Sequence, residues 1–236
     1  MNLILLEPED FLPDGRAALS GRRMKHVLEV QQAEPGQTLR LGQVNGLMGE
    51  GLLLVREPDR LLFEVSLNMP PPPRLPVTLL LALPRPKMLK RILQTVATLG
   101  VQRLVLLNSY RVEKSFWDSP FLRSEAIREE LVLGLEQGRD TVLPEVWLEK
   151  RFKPFVEDRL PGISAGSRCL VAHPGGESAC PVAVNAPLTL AIGPEGGFIP
   201  YEVDSLVCQG FEPVHLGPRI LRVETAVTAL LSRLFV

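Results

Sequence analysis

LTLAIGPEGGFIPYEVDSLVCQGFEPVHLGPRILRVETAVTALLSRLF, Leu188 to Phe235, is the stretch on which the fold turns. It opens with an apolar run, Leu188 to Ile192, that breaks into Gly193-Pro194-Glu195-Gly196-Gly197. A short buried strand ending in a glycine-rich turn is how α/β proteins present backbone N–H groups to a ligand. A second apolar run, Val214 to Leu216, ends the same way at Gly217-Pro218. Helical spacing follows at once, with Val223, Ala226, Val227, Leu230, Leu231 and Leu234 on one stripe. Two strand ends with glycine turns, the second feeding a helix, place a crevice at the carboxyl edge of a parallel sheet.

The ligand of such a crevice is constrained by what the turns lack. No Gly-Lys-Ser/Thr follows the glycines, and the spacing is not G-x-G-x-x-G. Glu195 inside the loop repels phosphate. A ligand with a cationic or neutral polar face fits better than a nucleoside triphosphate, and a plain tight turn remains an equal reading of the glycines alone.

IGPEGGF (192–198), then Glu202, then LGPRILRVETA (216–226) together resemble the signature of the RsmE family of SPOUT methyltransferases. Weaker similarity extends over the rest of the chain. The resemblance implies S-adenosylmethionine-dependent methylation of N3 of a uridine in 16S ribosomal RNA. It implies an α/β catalytic domain closed by a C-terminal trefoil knot, preceded by a small β-rich PUA-like barrel, and a homodimer. It also implies a cofactor pocket lined by His173, Pro174, Ile192, Gly193, Pro194, Glu195, Gly196, Gly197, Leu216, Gly217, Ile220 and Leu221. Arg222 and Glu224 take the catalytic positions. Arg222 stays protonated near neutral pH, so its fitting role is to stabilise negative charge on a uracil oxygen rather than to act as a base. Glu224 either orients Arg222 or caps the last helix. Glu195 either contacts the amino-acid end of the cofactor or braces its own loop.

In chain order, residues 1–68 read as a β-rich unit, with runs at 39–41, 51–55 and 61–65 separated by turn residues. Before them Gly21 to Val30 has the spacing of a short helix with Met24, Val27 and Leu28 inward. By resemblance this is the RNA-binding unit, with Arg22, Arg23 and His26 as backbone contacts. The family's His-x-Val-Leu-Arg pattern reads His26-Val27-Leu28-Glu29 here, and the glutamate removes a phosphate contact. His26 also reads as an ordinary half-buried histidine. MPPPPRLP (69–76) is a stiff connector, because four prolines continue neither helix nor central strand. The catalytic domain then runs from 77 to 236. It begins with a strand over 77–83, a helix over 87–99 and a strand over 101–107. A helix over 121–135 and a strand over 168–172 ending in His173-Pro174-Gly175-Gly176 come next. Where the family reads Lys-Ala-Thr-Glu-Leu-Gly, this chain has Thr95-Val96-Ala97-Thr98-Leu99-Gly100, and Thr95 and Thr98 are expected to fall where substrate lies. Glu136-Gln137-Gly138-Arg139-Asp140 resembles the family's Glu-Gln-x-x-Arg with its arginine displaced.

Composition narrows the setting. A hydrophobic content of 45% is that of a packed globular chain. No apolar run has bilayer length, and MNLILLEPEDF turns acidic too soon for a signal peptide. The three cysteines, Cys169, Cys180 and Cys208, form no C-x-x-C pair, which fits reduced thiols in the cytoplasm. The spacing of Cys169, His173 and Cys180 matches no zinc pattern, so no metal is expected. Net charge of −1 is not the overall footprint of a nucleic-acid binder. Basic residues cluster locally at 16–25, at 85–91 and at Arg219 and Arg222, and convergence in space would make a phosphate-binding surface. The apolar ending LLSRLFV packs either into its own core or against a second copy. Two other readings stay open: a SPOUT-fold methyltransferase acting on a different RNA, and a non-catalytic RNA-binding protein that retains the fold.

Overall fold

The computed structural model describes residues 2–235 and divides into two compact units, Met1–Pro73 with Leu131–Leu143 and Arg74–Glu130 with Pro144–Val236. The first unit carries β1 (Ile4–Leu6), β2 (Ala17–Leu19), α1 (Gly21–Glu29), β3 (Thr38–Gln43), β4 (Met48–Arg56) and β5 (Leu61–Met69). These strands form one sheet in the order β1-β3-β4-β5-β2, antiparallel except for the β1–β3 pair. Met24 and Val27 of α1 are buried in a core with Ile4, Leu6, Leu19, Leu41, Leu53, Leu61 and Phe63, and Leu28 packs partly against it. The sequence reading finds α1 and β3 to β5 but not β1 and β2. Those strands are three residues long, too short for a period-2 pattern to register.

The second unit is a seven-stranded sheet in which every pairing is parallel. Its strands are β6 (Leu75–Ala82), β7 (Val101–Leu107), β8 (Glu145–Glu149), β9 (Arg168–Ala172), β10 (Ser178–Ala179), β11 (Leu188–Ile192) and β12 (Glu212–His215). They lie in the order β10-β12-β9-β11-β6-β7-β8. The longer helices are α2 (Pro86–Thr98), α4 (Pro200–Cys208) and α5 (Val223–Phe235), with α3 (Ser124–Gly138) divided between the two units at Leu131. All five residues of β11 are buried, and β6 and β7 are almost continuously apolar, as expected of parallel strands covered on both faces. β5 runs to Met69 and β6 begins at Leu75, so the proline run is confined to the chain between two strands.

The stripe on α5 behaves as its spacing requires: Val223, Val227, Leu230, Leu231 and Leu234 are buried, and Ala226 is half-buried. The apolar chain end therefore packs into its own core. The last carbonyls of α5, which a helix cannot satisfy internally, accept from a strap after β10. Ala183 N–H reaches Arg233 O at 3.1 Å and Val184 N–H reaches Leu234 O at 2.6 Å. The Arg233 Nε donates in return to Cys180 O at 2.7 Å.

Candidate active site

β11 is paired on one side with β9 and on the other with β6, although β6 precedes β9 by three strands' worth of chain. Loops leaving β9, β11 and β12 therefore converge at one edge. They enclose a cleft of about 1280 Å³ lined by Ala172, His173 and Pro174, by 192–198 and by 214–217 and 219–224. All twelve residues expected to hold the cofactor line it, as do Arg222 and Glu224.

The glycine loop is built by contacts a side chain would break. A Cβ on Gly193 would stand 2.8 Å from Phe198 N, inside van der Waals contact. Gly197 has φ +73°, a region that costs other residues strain, and its N–H closes the turn on Pro194 O at 2.7 Å. Glu195 braces the loop: its Oε1 accepts from Arg85 N at 3.0 Å, at the entrance to α2. Arg111 reaches over from the segment after β7 and donates to Gly196 O. Below the loop, Glu202 accepts from Ile199 N at 3.0 Å and from Tyr110 N at 2.7 Å, fixing the start of α4 and the chain after β7 together.

The other two loops follow one pattern. His173 Nδ1 accepts from Gly175 N and His215 Nδ1 from Gly217 N, each at 3.0 Å. Each imidazole thus shapes the turn that follows its own strand. The amides of Gly196, Ile220 and Leu221 have no acceptor among the described residues. Ile220, 82% exposed, and Leu221 present apolar side chains to the cleft rather than to the core. Unpaired main-chain donors beside apolar side chains suit a ligand with hydrogen-bond acceptors on a flat apolar body, such as a nucleoside.

Arg222 is exposed at the cleft, one residue before α5 begins, and its guanidinium has no ion-pair partner among the described residues. Glu224 sits half-buried in the first turn of α5 and makes no ion pair with Arg222. Arg85, Lys87, Arg111 and Arg219 also line the cleft, so two of the three basic groups seen in the sequence do converge.

Elsewhere the expectations shift. Thr95 and Thr98 do not line the cleft; with Arg91, Gln94, Leu99 and Thr228 they edge a shallow groove on α2 and α5. Helical geometry turns them away because the face with Leu89, Ile92, Leu93 and Val96 is the buried one. In the first unit Arg23 is bidentate to Asp10 at 2.5 and 2.8 Å and also donates to Leu5 O. Its side chain is only 18% exposed, so it is a structural ion pair rather than an open phosphate ligand. Arg22, half-exposed, reaches Glu136 Oε2 at 3.0 Å. His26 is half-buried, and burial, followed by nearby positive charge including Arg22, holds its imidazole below the usual range. Sequence reasoning missed Arg111 and Phe116 as cleft residues, because their segment has no periodicity, and placed Phe121 in a helix over 121–135 that instead begins at Ser124, leaving Phe121 on a short 3₁₀ turn at the cleft.

The RNA methyltransferase domain family matches residues 71–235, a stretch that takes in all seven strands from β6 to β12. A ribosomal RNA small subunit methyltransferase E from Treponema pallidum is 30% identical over 240 residues, covering 97% of this chain and 88% of that protein. One from Borreliella burgdorferi is 22% identical, covering 97% and 95%. The crystal structure of such an enzyme from Neisseria gonorrhoeae, bound to S-adenosylmethionine, superposes with a TM-score of 0.74 at 23% identity over 98% of this chain and 95% of that one. The fold is that of the SPOUT-type RNA methyltransferases. Within that class the chain belongs to the RsmE family.

Proposed function

We propose that this protein transfers the methyl group of S-adenosylmethionine to N3 of a uridine in small-subunit ribosomal RNA. The observation that carries this reading is the convergence of both signature loops, 192–198 and 216–222, on one cleft in a chain of this family. Bound there, the cofactor supplies an electrophilic methyl on sulfur, so the protein's task is alignment and charge control. Main-chain groups of Gly196, Ile220 and Leu221 would hold it by hydrogen bonds, and the side chains of Ile220 and Leu221 would pack against it. The glycine loop is kept in shape by Glu195, Arg111 and Glu202. As N3 loses its proton to solvent and gains the methyl carbon, negative charge collects on the uracil oxygens, and Arg222 is the cation placed to stabilise it. The products are S-adenosylhomocysteine and the methylated base. Glu224 acts as a first-turn carboxylate on α5, favourable at the positive end of a helix dipole.

The first unit serves as the PUA-like RNA-binding domain and the second, from about residue 77, as the catalytic domain. Arg22 and His26 contribute to RNA contact, while Arg23 supports α1 from within. The carboxyl-terminal segment, with the strap at 180–184 tied to the end of α5, is the part that forms the trefoil knot. The working form is a homodimer in the cytoplasm, where ribosomal RNA is modified. The groove edged by Thr95, Thr98 and Thr228 is the candidate dimer face. No helix is long and apolar enough to cross a membrane.

Incubation with small ribosomal subunits lacking the mark, followed by mass spectrometry of nucleosides, tests the reaction. 3-Methyluridine is expected with the wild type, and about 10²- to 10³-fold slower with Arg222→Ala, the cost of removing one charge-stabilising donor. A methyl group on another nucleoside would reassign the substrate, and no transfer would overturn the reading.

A further inference from the structure

The cleft is larger than one small ligand requires. Pockets for such ligands run to roughly 300–1,000 Å³, and this one reaches about 1280 Å³. Its lining also divides in kind. The loops after β9, β11 and β12 offer mostly main chain. The rest of the lining offers side chains: Met88 from the first turn of α2, and Arg111, Glu113, Phe116 and Phe121 from the segment between β7 and α3.

That wall is held in place. Phe116 sits on a 3₁₀ turn, Lys114–Asp118, and Phe121 on a second, Pro120–Leu122. Ser119 caps the second turn by accepting from Phe121 N at 3.3 Å. The Lys90 ammonium stands 4.4 Å from the centre of the Phe121 ring and is itself fixed by Glu130 at 3.0 Å. A ring backed by an anchored cation is a rigid platform. Both phenylalanines are nonetheless half-buried, where a purely structural ring would be driven into the core. Lys87 and Arg111 stand beside them with positive charge.

An enzyme that acts on a nucleobase takes it out of the stack and holds it between apolar or aromatic faces, with cations on the backbone nearby. We propose that Phe116 and Phe121, with Met88, form the stacking wall for the target base in this cleft. This rests on the methyltransferase reading above and adds which residues receive the RNA. Arg111, which lines the same cleft and donates to Gly196 O, links this wall to the glycine loop.

The test uses Phe116→Leu/Phe121→Leu, which keeps apolar volume but removes both rings, and Phe121→Tyr, which keeps a ring. Methyl transfer to small subunits lacking the mark is measured alongside calorimetric binding of S-adenosylmethionine and thermal melting. The leucine pair is expected to lower kcat/KM for RNA by about 5- to 150-fold, the span that base–aromatic stacking carries. Cofactor affinity should stay within about twofold, by the same two-occupant logic. The tyrosine variant should remain close to wild type. Unchanged kcat/KM in the leucine pair beside an active wild type overturns the wall alone. So does a parallel fall in cofactor affinity, or a tyrosine variant as poor as the leucine pair. A wild type that binds cofactor yet transfers nothing overturns the functional reading, and the wall with it.

Discussion

The carboxylate of Glu202, 2% exposed, accepts the main-chain N–H of Tyr110 at 2.7 Å across 92 residues of sequence. Its other oxygen takes Ile199 N at 3.0 Å, so one buried side chain closes the start of α4 and anchors the chain leaving β7. Burying a carboxylate is costly unless such donors meet it, and removing it strands them. Glu202→Ala is expected to lower stability by about 2–3 kcal/mol, since bonds to a charged acceptor carry about 1.5–3. Glu202→Gln should recover part of this by keeping one acceptor. Urea unfolding of the three proteins checks it, and an alanine variant as stable as wild type would remove the anchor role.

Gly193→Ala tests the loop itself. The added methyl would meet Phe198 N at 2.8 Å, which is backbone and has no rotamer to yield. Displacement of the 193–198 turn is expected to weaken S-adenosylmethionine at least about tenfold and to destabilise the fold by about 1–3 kcal/mol, the range for overpacking. Gly210→Ala is the control. Gly210 has φ +85° but open space around a Cβ and does not line the cleft. It should cost stability without touching cofactor affinity, so equal effects on affinity from both would contradict the loop's role.

Much of the second unit could be read from residues because parallel strands buried on both faces are continuous apolar runs. β7, β9 and β11 carry the bounds expected of them, and α5 its stripe. The two turn motifs were visible as glycine breaks after such runs. β8 escaped notice because its edge position leaves none of its five residues fully buried, and the pattern blurs. α4 begins at Pro200 with only Glu202 and Leu206 buried, too few for a stripe to stand out. The identity of Arg23 as an internal ion pair was not legible, since sequence shows the charge but not Asp10 opposite it. Thr95 and Thr98 were expected near substrate from family position alone, and helix phase sets them on a groove other than the cleft.

Glu136 gives a pH signature for the first unit. Burial, the largest influence, pushes its carboxyl above the ordinary value of 4.5, with Arg22 opposing, and Oε1 accepts no hydrogen bond among the described residues. The folded chain then keeps the proton to higher pH than the unfolded chain. Between 4.5 and the raised folded value the folded state binds more protons, so stability falls as pH rises through that window and levels above it. Glu136→Gln removes this loss while leaving an oxygen for half-exposed Arg22. Melting curves are expected to show a flatter pH dependence over that window and, at neutral pH, a Tm equal to or above wild type. A variant that melts well below wild type at neutral pH would show the charged pair to be net stabilising.

The most direct measurement is calorimetric titration of the intact protein with S-adenosylmethionine, repeated on Arg222→Ala. Saturable binding with one site per chain is expected for both, since the loops at 192–198 and 216–221 hold the cofactor through main chain and Arg222 acts on the uracil. No binding by the wild type, alone or with small ribosomal subunits present, would contradict the assignment of the cleft as a cofactor site.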